Sequence, residues 1–245
     1  MTEMVTLYQF PRPKTVPNLG FFCLKVKTFM RITSIPYKIE AVLNPAIAPK
    51  GKLPYIAHQG QNIPESSHII EYLKLKFSVT IDNDLSAEQL AIGHAICIML
   101  EERLRWCIVY SRRVDNRYAP TFKDISSELI SFPISIIFPL LIAKSRKRIA
   151  ATLNSNGIGK FTPEEIYTFG QQDLDALTTI LGDKLYLFGD KPSSYDAVIY
   201  AFLANLIDVP MECPLNTFAR DRQSLRDYCQ RMKSDYFSDL NLISN

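Results

Sequence analysis

Several motifs that commonly identify a function are missing from this chain of 245 residues. It has neither a Gly-x-Gly-x-x-Gly loop nor a Walker loop, which argues against a nucleotide enzyme. Its five cysteines are scattered and form no Cys-x-x-Cys pair, so we expect a reducing compartment without a disulfide framework or zinc site. The histidines, His58, His68 and His94, lack metal-ligand spacing, and we expect no metal.

A large charge imbalance and a membrane-spanning run are also missing. The net charge of +3 is too small to argue for nucleic acid. The apolar stretch 129–143 is interrupted by Pro133 and Pro139, and it is shorter than the roughly 20 residues that a spanning helix needs. With the basic cluster 144–148 beside it, the stretch is either a buried helical segment broken by proline or a peripheral contact with an anionic membrane. No signal peptide is visible, so we expect a cytoplasmic location.

The beginning of the chain predicts a β-α-β unit. Residues 5–10 alternate and are rich in β-formers, which is typical of a strand. After a proline-rich loop, Asn18 is expected to cap a helix. Residues 35–42 predict a second strand, parallel to the first through a right-handed crossover. The apolar stripe expected on the helix consists of Phe22, Val26, Phe29 and Met30.

Residues 50–73 predict two short strands and a helix. Pro54 can open the first strand because its missing N–H does no harm there. Gly60, within Gln59-Gly60-Gln61-Asn62, supplies the backbone freedom for a hairpin turn. Ser66 and Ser67 stand where a helix begins.

This order of elements resembles the N-terminal domain of glutathione transferases, which is thioredoxin-like. The resemblance implies that Pro54 is the family's cis-proline, next to backbone that pairs with the cysteine of glutathione. It implies that the pair Glu65-Ser66 holds the γ-glutamyl end at a helix N-terminus, which is a suitable site for a carboxylate. The glutathione-binding residues expected on this basis are Lys52, Leu53, Pro54, Glu65 and Ser66.

The second half of the chain predicts helices. A polar linker at 78–85 precedes Ser86, which has the spacing of a capping box with Gln89. A long helix is expected from there to about Val114. Its aromatic residues, Trp106 and Tyr110, either pack in the core or line a pocket for an apolar second substrate. Further helix starts are expected at Thr162 with Glu165 and at Ser193 with Asp196, where the carboxylate of Asp196 has a structural role.

Short segments along nearly the whole chain resemble one branch of this superfamily, the failed axon connections group, which is related to the metaxins. Examples are Phe22-Cys23-Leu24-Lys25-Val26 and Leu187-Phe188-Gly189-Asp190-Lys191-Pro192. The implied fold is α/β plus all-α. A thioredoxin-like glutathione-binding domain at 1–80 is followed by an all-helical glutathione transferase C-terminal domain at 86–245. The resemblance also implies a homodimer.

The residue that would activate the glutathione thiol is not evident. In the alignment that the resemblance suggests, Gly20 occupies the family's Ser or Cys position and Gln9 the position of its catalytic Tyr. The substitutes are Asn18, Thr15 and Cys23. We therefore expect a glutathione-binding protein with weak conjugation or thiol transfer toward a small hydrophobic electrophile. The alternative is a non-catalytic, metaxin-like adaptor for protein partners or a membrane surface.

Overall fold

The computed structural model describes residues 4–130 and 134–240, without the side chains of residues 134–139 and 141. The elements of the first part are β1 (Val5–Gln9), α1 (Phe21–Ile32), β2 (Tyr37–Ala41), β3 (Tyr55–His58), β4 (Gln61–Pro64) and α2 (Ser66–Lys76). The strands form a four-stranded mixed sheet with strand order β2-β1-β3-β4, in which β1 is parallel to β2 and antiparallel to β3. The predicted thioredoxin-like topology is confirmed.

The hairpin between β3 and β4 forms where the sequence predicted it. Gln59 and Gly60 both have positive φ, 50° and 73°, as a tight two-residue turn between antiparallel strands requires. Behind the sheet, α1 and α2 bury their apolar faces against β1 and β3. The fully buried side chains of this core include Leu7, Val26, Phe29, Ile56, Ile69 and Leu73.

The second part is helical, as predicted. Two departures from a regular helical bundle are a 3₁₀ turn at Ile158–Lys160 and a π-helical segment at Met99–Leu104. The π-helical segment interrupts the long helix expected up to Val114, and the apolar spacing did not predict it. The α-helices are α3 (Ala87–Ile98), α4 (Arg105–Arg113), α5 (Ala119–Ser127), α6 (Ile134–Asn156), α7 (Pro163–Leu181), α8 (Ser194–Ile207), α9 (Pro214–Arg220) and α10 (Gln223–Phe237).

The three predicted capping boxes are present at the starts of α3, α7 and α8. The predicted cap of α1 is wrong. The N-cap of α1 is Gly20, and the side chain of Asn18 accepts a hydrogen bond from the Gly20 N–H at 2.8 Å. Asn18 also donates to the carbonyl of Phe10 at 2.8 Å, so it ties the preceding loop to the end of β1.

The apolar stretch 129–143 lies largely in α6, and the expected interruption at Pro133 falls outside the described residues. The helix continues through Pro139, because a proline near a helix start removes one hydrogen bond while the remaining turns persist. Leu140 is 73% exposed, so this stretch is not wholly buried. Within the described ranges, no helix is both long enough and apolar enough to cross a membrane.

The two parts pack through α1 and α8. Phe21 stacks on Phe202 with ring centroids 4.7 Å apart. In the connecting segment, Asp82 accepts hydrogen bonds from the N–H and hydroxyl of Ser194 at 2.8 and 2.6 Å, and it pairs with Lys74 at 2.9 Å. These contacts join α2, the linker and α8, so they fix the position of the first part relative to the second.

Candidate functional site

We call the first part of the structure the sheet domain and the second part the helical domain. A cleft of about 510 Å³ lies between the sheet domain and the π-helical segment of the helical domain. All five residues that the family resemblance implied for glutathione line it. The lining residues are Phe22, Lys50, Lys52, Leu53, Pro54, Pro64, Glu65, Ser66, Ser67, His68, Glu101, Glu102 and Arg105.

One wall of the cleft is the entry to β3. The Leu53–Pro54 peptide bond is cis, as the resemblance implied. Leu53 and Pro54 are buried, whereas Lys52 is exposed. The wall therefore presents backbone next to a proline, with cations at its rim.

The adjoining wall is the start of α2. The first N–H groups of a helix have no intrahelical partner, and the helix dipole adds positive potential at that end. Ser66 is 7% exposed and begins the helix, and Glu65 precedes it with a φ of 71°. A residue other than glycine seldom adopts this angle, and such strain occurs most often at functional sites. This wall can bind a carboxylate.

The opposite wall comes from the helical domain. The π-helical segment contributes Glu101 and Glu102, and Arg105 follows it directly. Single π-helical turns inside α-helices often occur at functional sites. Arg105 donates to the carbonyl of Glu101 at 2.6 Å and lies over the ring of Phe22 at 5.6 Å. Burial lowers the pKa of Arg105 from its ordinary value.

A buried lysine connects the two sides of the cleft. Lys25, on α1, is 4% exposed. Its Nζ donates to Glu101 Oε1 at 2.7 Å and to Ser67 Oγ at 3.0 Å. Glu101 is thereby neutralised, and the start of α2 is fixed relative to the helical domain. Sequence reasoning did not find Lys25, because nothing in the residue pattern distinguishes it from a lysine on the exposed face of α1.

The predicted activating residues Asn18 and Thr15 do not line this cleft. Both polar atoms of the Asn18 side chain are engaged in hydrogen bonds. The backbone carbonyl of Asn18 accepts a hydrogen bond from Asn205 Nδ2 at 3.1 Å. The Thr15 hydroxyl is buried and has no hydrogen-bond partner among the described residues. Asn18 is thus used to hold the loop before α1.

Cys23 also lies away from the cleft lining. It is 1% exposed, and burial raises the pKa of its thiol to about 12, although a hydrogen bond to the Phe10 backbone lowers it in part. At neutral pH the thiol is therefore protonated and enclosed. A thiolate is the reactive form of cysteine, so this environment opposes a nucleophilic role.

Gly20 leaves little space for a catalytic side chain. A Cβ there would lie 3.1 Å from Asn18 Oδ1 and 3.3 Å from Cys23 Sγ. The Gly20 N–H is already donated to Asn18, so it is not available to a ligand sulfur. A serine at this position would require its neighbours to move.

Trp106 and Tyr110 do not line the cleft. Both pack against the helical core, in line with the first of the two interpretations of these residues. Trp106 lies under Arg105 at 3.9 Å, and Tyr110 meets Tyr167 edge to face at 6.1 Å. A helical period shows which side chains share a face, but it does not show which neighbour that face meets.

Comparison with known protein families gives two matches. Residues 21–118 match the glutathione S-transferase N-terminal domain, and residues 170–232 match the glutathione S-transferase C-terminal domain. Neither match includes residues 119–169, which contain α5 and α6. The domain boundaries at 80 and 86 stay a prediction.

Three curated relatives are similar over nearly the whole chain. Failed axon connections of Drosophila melanogaster is 33% identical over 97% of this chain, which spans 59% of that protein's length. Isoprene-epoxide–glutathione S-transferase of Rhodococcus sp. (strain AD45) is 31% identical over 95% of this chain and 99% of that protein. Human metaxin-1 is 29% identical over 91% of this chain and 49% of that protein.

Solved structures show the same fold. Glutathione transferase GSTFuA3 from Phanerochaete chrysosporium matches with a TM-score of 0.65 and 16% identity, covering 97% of this chain and 99% of that one. A glutathione S-transferase of Ceriporiopsis subvermispora in complex with glutathione matches with a TM-score of 0.62 and 16% identity, covering 99% of both. The chain belongs to the glutathione S-transferase family, and its expected relation to Failed axon connections and the metaxins is confirmed.

Proposed function

We propose that this protein binds glutathione in the cleft between the sheet domain and the π-helical segment. One observation carries the proposal. The backbone at Leu53-Pro54 and the strained Glu65-Ser66 helix start open onto the same cleft from the two ends of the β3-β4 hairpin. The family's link to glutathione supports it, since a structural neighbour is a complex with this tripeptide.

The charges of the cleft are compatible with a tripeptide that carries two carboxylates and one amine. The γ-glutamyl carboxylate is assigned to the Ser66 hydroxyl and the first-turn N–H groups of α2. Glu65 is assigned to the amine. The glycyl carboxylate is assigned to Lys50 and Lys52, which are exposed at the rim.

Binding without fast turnover is the form of the proposal that the site favours. None of Asn18, Thr15 and Cys23 lines the cleft, and Gly20 offers no side chain. The positive potential at the start of α1 can still stabilise a thiolate, but it does so less strongly than a hydroxyl donor would. We therefore propose at most slow conjugation or thiol transfer.

The alternative is an adaptor that kept the fold for a partner or a membrane surface. The same lack of an activating side chain supports it. The two proposals differ in whether the cleft is occupied. In an adaptor that has lost the function of the cleft, glutathione need not bind there.

Isothermal titration calorimetry with glutathione tests the proposal. We expect micromolar to millimolar affinity, and about tenfold weaker binding in Ser66→Ala, since a hydrogen bond to a charged group is lost. Ser155→Ala, on the exposed side of α6, is the matched control and should bind normally. No heat with several millimolar glutathione would remove the proposal and leave the adaptor.

Turnover is tested separately with a small hydrophobic epoxide. The relative from Rhodococcus is named for isoprene epoxide, and we propose this compound as the first electrophile. A measurable rate above the uncatalysed reaction supports conjugation, whereas binding without such a rate supports a non-enzymatic role. The homodimer and the cytoplasmic location are also proposals, which light scattering and cell fractionation test.

A further inference from the structure

A second cavity, of about 180 Å³, lies in the helical domain and is distinct from the glutathione cleft. It is bounded by the end of α4, the start of α5 and the middle of α6. Among the residues that the structure describes, seven line the cavity; four of these are cationic and none is acidic. The lining consists of Arg112, Arg113, Ala119, Pro120, Lys123, Ile142 and Arg146.

The positive charge in this cavity is not balanced by carboxylates. None of the four cations forms an ion pair with any residue in the described ranges. Asp115, the acidic residue next to the end of α4, is already paired with Arg117 at 2.8 Å and hydrogen-bonded by Tyr167. Residues 131–141, which precede Ile142 in the chain, contain no aspartate or glutamate.

Arg112 makes the imbalance costly. It is 5% exposed, and its guanidinium donates to the backbone and side-chain oxygens of Asn205 at 2.6 and 3.2 Å. These acceptors are neutral, so they satisfy hydrogen bonds without removing the charge. Burial, with a smaller contribution from the like charge of Arg113, lowers the pKa of Arg112 to about 9. Burying a charge without an opposite charge is unfavourable.

Arg113 and Lys123 have unused donors. The guanidinium of Arg113 lies over Phe122 at 4.9 Å but makes no hydrogen bond to the described residues. Lys123 is exposed and likewise has no hydrogen-bond partner among them. Arg146 is partly used, since it donates to the carbonyl of Val114 at 2.8 Å at the end of α4 and to the side-chain oxygen of Asn116. The backbone at the end of α4 therefore satisfies only part of the hydrogen-bonding capacity of this one cation.

We propose that this cavity is a binding site for a phosphate ester group. A small cavity lined by three arginines and a lysine matches the several acceptor oxygens of a phosphate. An anion there would supply the missing countercharge. The α5 and α6 walls belong to residues 119–169, outside both family matches, and the cavity shares no described lining residue with the cleft proposed for glutathione.

The phosphate can come from a soluble ester or from a lipid headgroup. The surroundings are compatible with a lipid because Leu140 is 73% exposed on α6 and the basic residues Lys144, Lys147 and Arg148 are exposed on the same helix. This arrangement places apolar and cationic groups side by side, as surface-bound helices do. The test therefore has a soluble arm and a vesicle arm.

In the soluble arm, calorimetry measures binding of glycerol 3-phosphate at constant ionic strength set with chloride. We expect saturable binding, and about tenfold weaker binding in Arg113→Gln and in Lys123→Gln. Lys147→Gln removes the same charge from the same region without touching the cavity lining, and it should bind like the wild type. All three variants should keep their affinity for glutathione, which separates this proposal from the previous one.

In the vesicle arm, phosphatidylcholine vesicles carry equal fractions of phosphatidic acid or phosphatidylserine. Preferential binding to phosphatidic acid, lost in Arg113→Gln and kept in Lys147→Gln, assigns the phosphate to a lipid. Binding of glycerol 3-phosphate without vesicle binding assigns it to a soluble ester. Failure in both arms, or equal losses in all three variants, overturns the site, since the latter result would reflect only diffuse positive charge.

Discussion

Lys25 Nζ lies 2.7 Å from Glu101 Oε1, and the two side chains are 6% and 14% exposed. The pair joins α1 of the sheet domain to the π-helical segment of the helical domain. A hydrogen bond from the same ammonium to Ser67 adds the start of α2. Two walls of the cleft, the start of α2 and the π-helical segment, therefore meet at one buried charge on α1.

Replacing this lysine should weaken both the fold and the cleft. We expect Lys25→Met to lower the free energy of unfolding by about 3 kcal/mol, because it leaves Glu101 largely buried without a partner. Glutathione affinity should fall as well. Urea denaturation and calorimetry measure the two effects. Asp175→Ala breaks an exposed ion pair with Arg222 and should cost less than about 1 kcal/mol. Equal losses in both variants would contradict this role of Lys25.

The backbone strain at Glu65 gives a prediction with opposite signs for stability and binding. Glycine adopts a φ of 71° freely, so Glu65→Gly should stabilise the fold by about 1 kcal/mol while weakening glutathione binding. Gln59→Gly, in the hairpin turn with a φ of 50°, is the matched control. It should stabilise the fold and leave the affinity unchanged. Denaturant titration and calorimetry on both variants provide the comparison, and a Glu65→Gly protein that binds normally would argue against a role for this carboxylate.

The cysteines should react slowly in the native state. Cys23, Cys107, Cys213 and Cys229 are buried, and burial raises the pKa of Cys23 and Cys107 to about 12. Titration with a chromogenic disulfide at pH 8 should detect few thiols before unfolding and all five cysteines after it. Cys23→Ser should not change any conjugation rate. A rate lost in that variant would restore Cys23 as the reactive group.

Two capping boxes with the same spacing should differ in energetic weight. Asp196 is fully buried and accepts from Ser193, from the N–H of Leu187 at 2.9 Å and from the hydroxyl of Tyr228 at 2.9 Å. Asp196→Ala leaves these donors unsatisfied and should cost about 4 kcal/mol. Thr162→Ala, in the exposed box of α7, should cost about 1 kcal/mol. Chemical denaturation compares them, and similar losses would show that burial does not matter here.

Lys27 should make stability increase with pH. Burial, with help from Arg31 and Arg12, lowers its pKa from 10.5 to about 8. Between those two values the unfolded chain holds a proton that the folded chain has released, so raising the pH favours the folded state. Relative to Lys27→Met, the free energy of unfolding of the wild type should increase by on the order of 3 kcal/mol as the pH rises between these two pKa values. Denaturation of both proteins from pH 7 to 10 measures the difference, and parallel curves would contradict the shifted pKa.

Short-range chemistry made much of the fold predictable from the sequence. The capping boxes at Ser86, Thr162 and Ser193 depend on partners three residues away, and the Gln59-Gly60 turn depends on two adjacent residues. The family motif likewise pointed to the walls at Pro54 and Ser66. Such features are determined locally, so no knowledge of the rest of the molecule was needed to propose them.

The order of elements, the helix starts marked by the three capping boxes and the family were thus predictable from the residues alone. Which side chains reach the cleft from the helical part became clear from the packing of the folded chain and not from the residue pattern. That packing turned Asn18 and Cys23 inward, placed Trp106 against the core and brought Glu101 and Arg105 to the site through a π-helical segment. It also brought together Arg112, Lys123 and Arg146, which lie on three different helices. Burial and charge pairing depend on neighbours that are distant in the chain, and local patterns do not specify those neighbours.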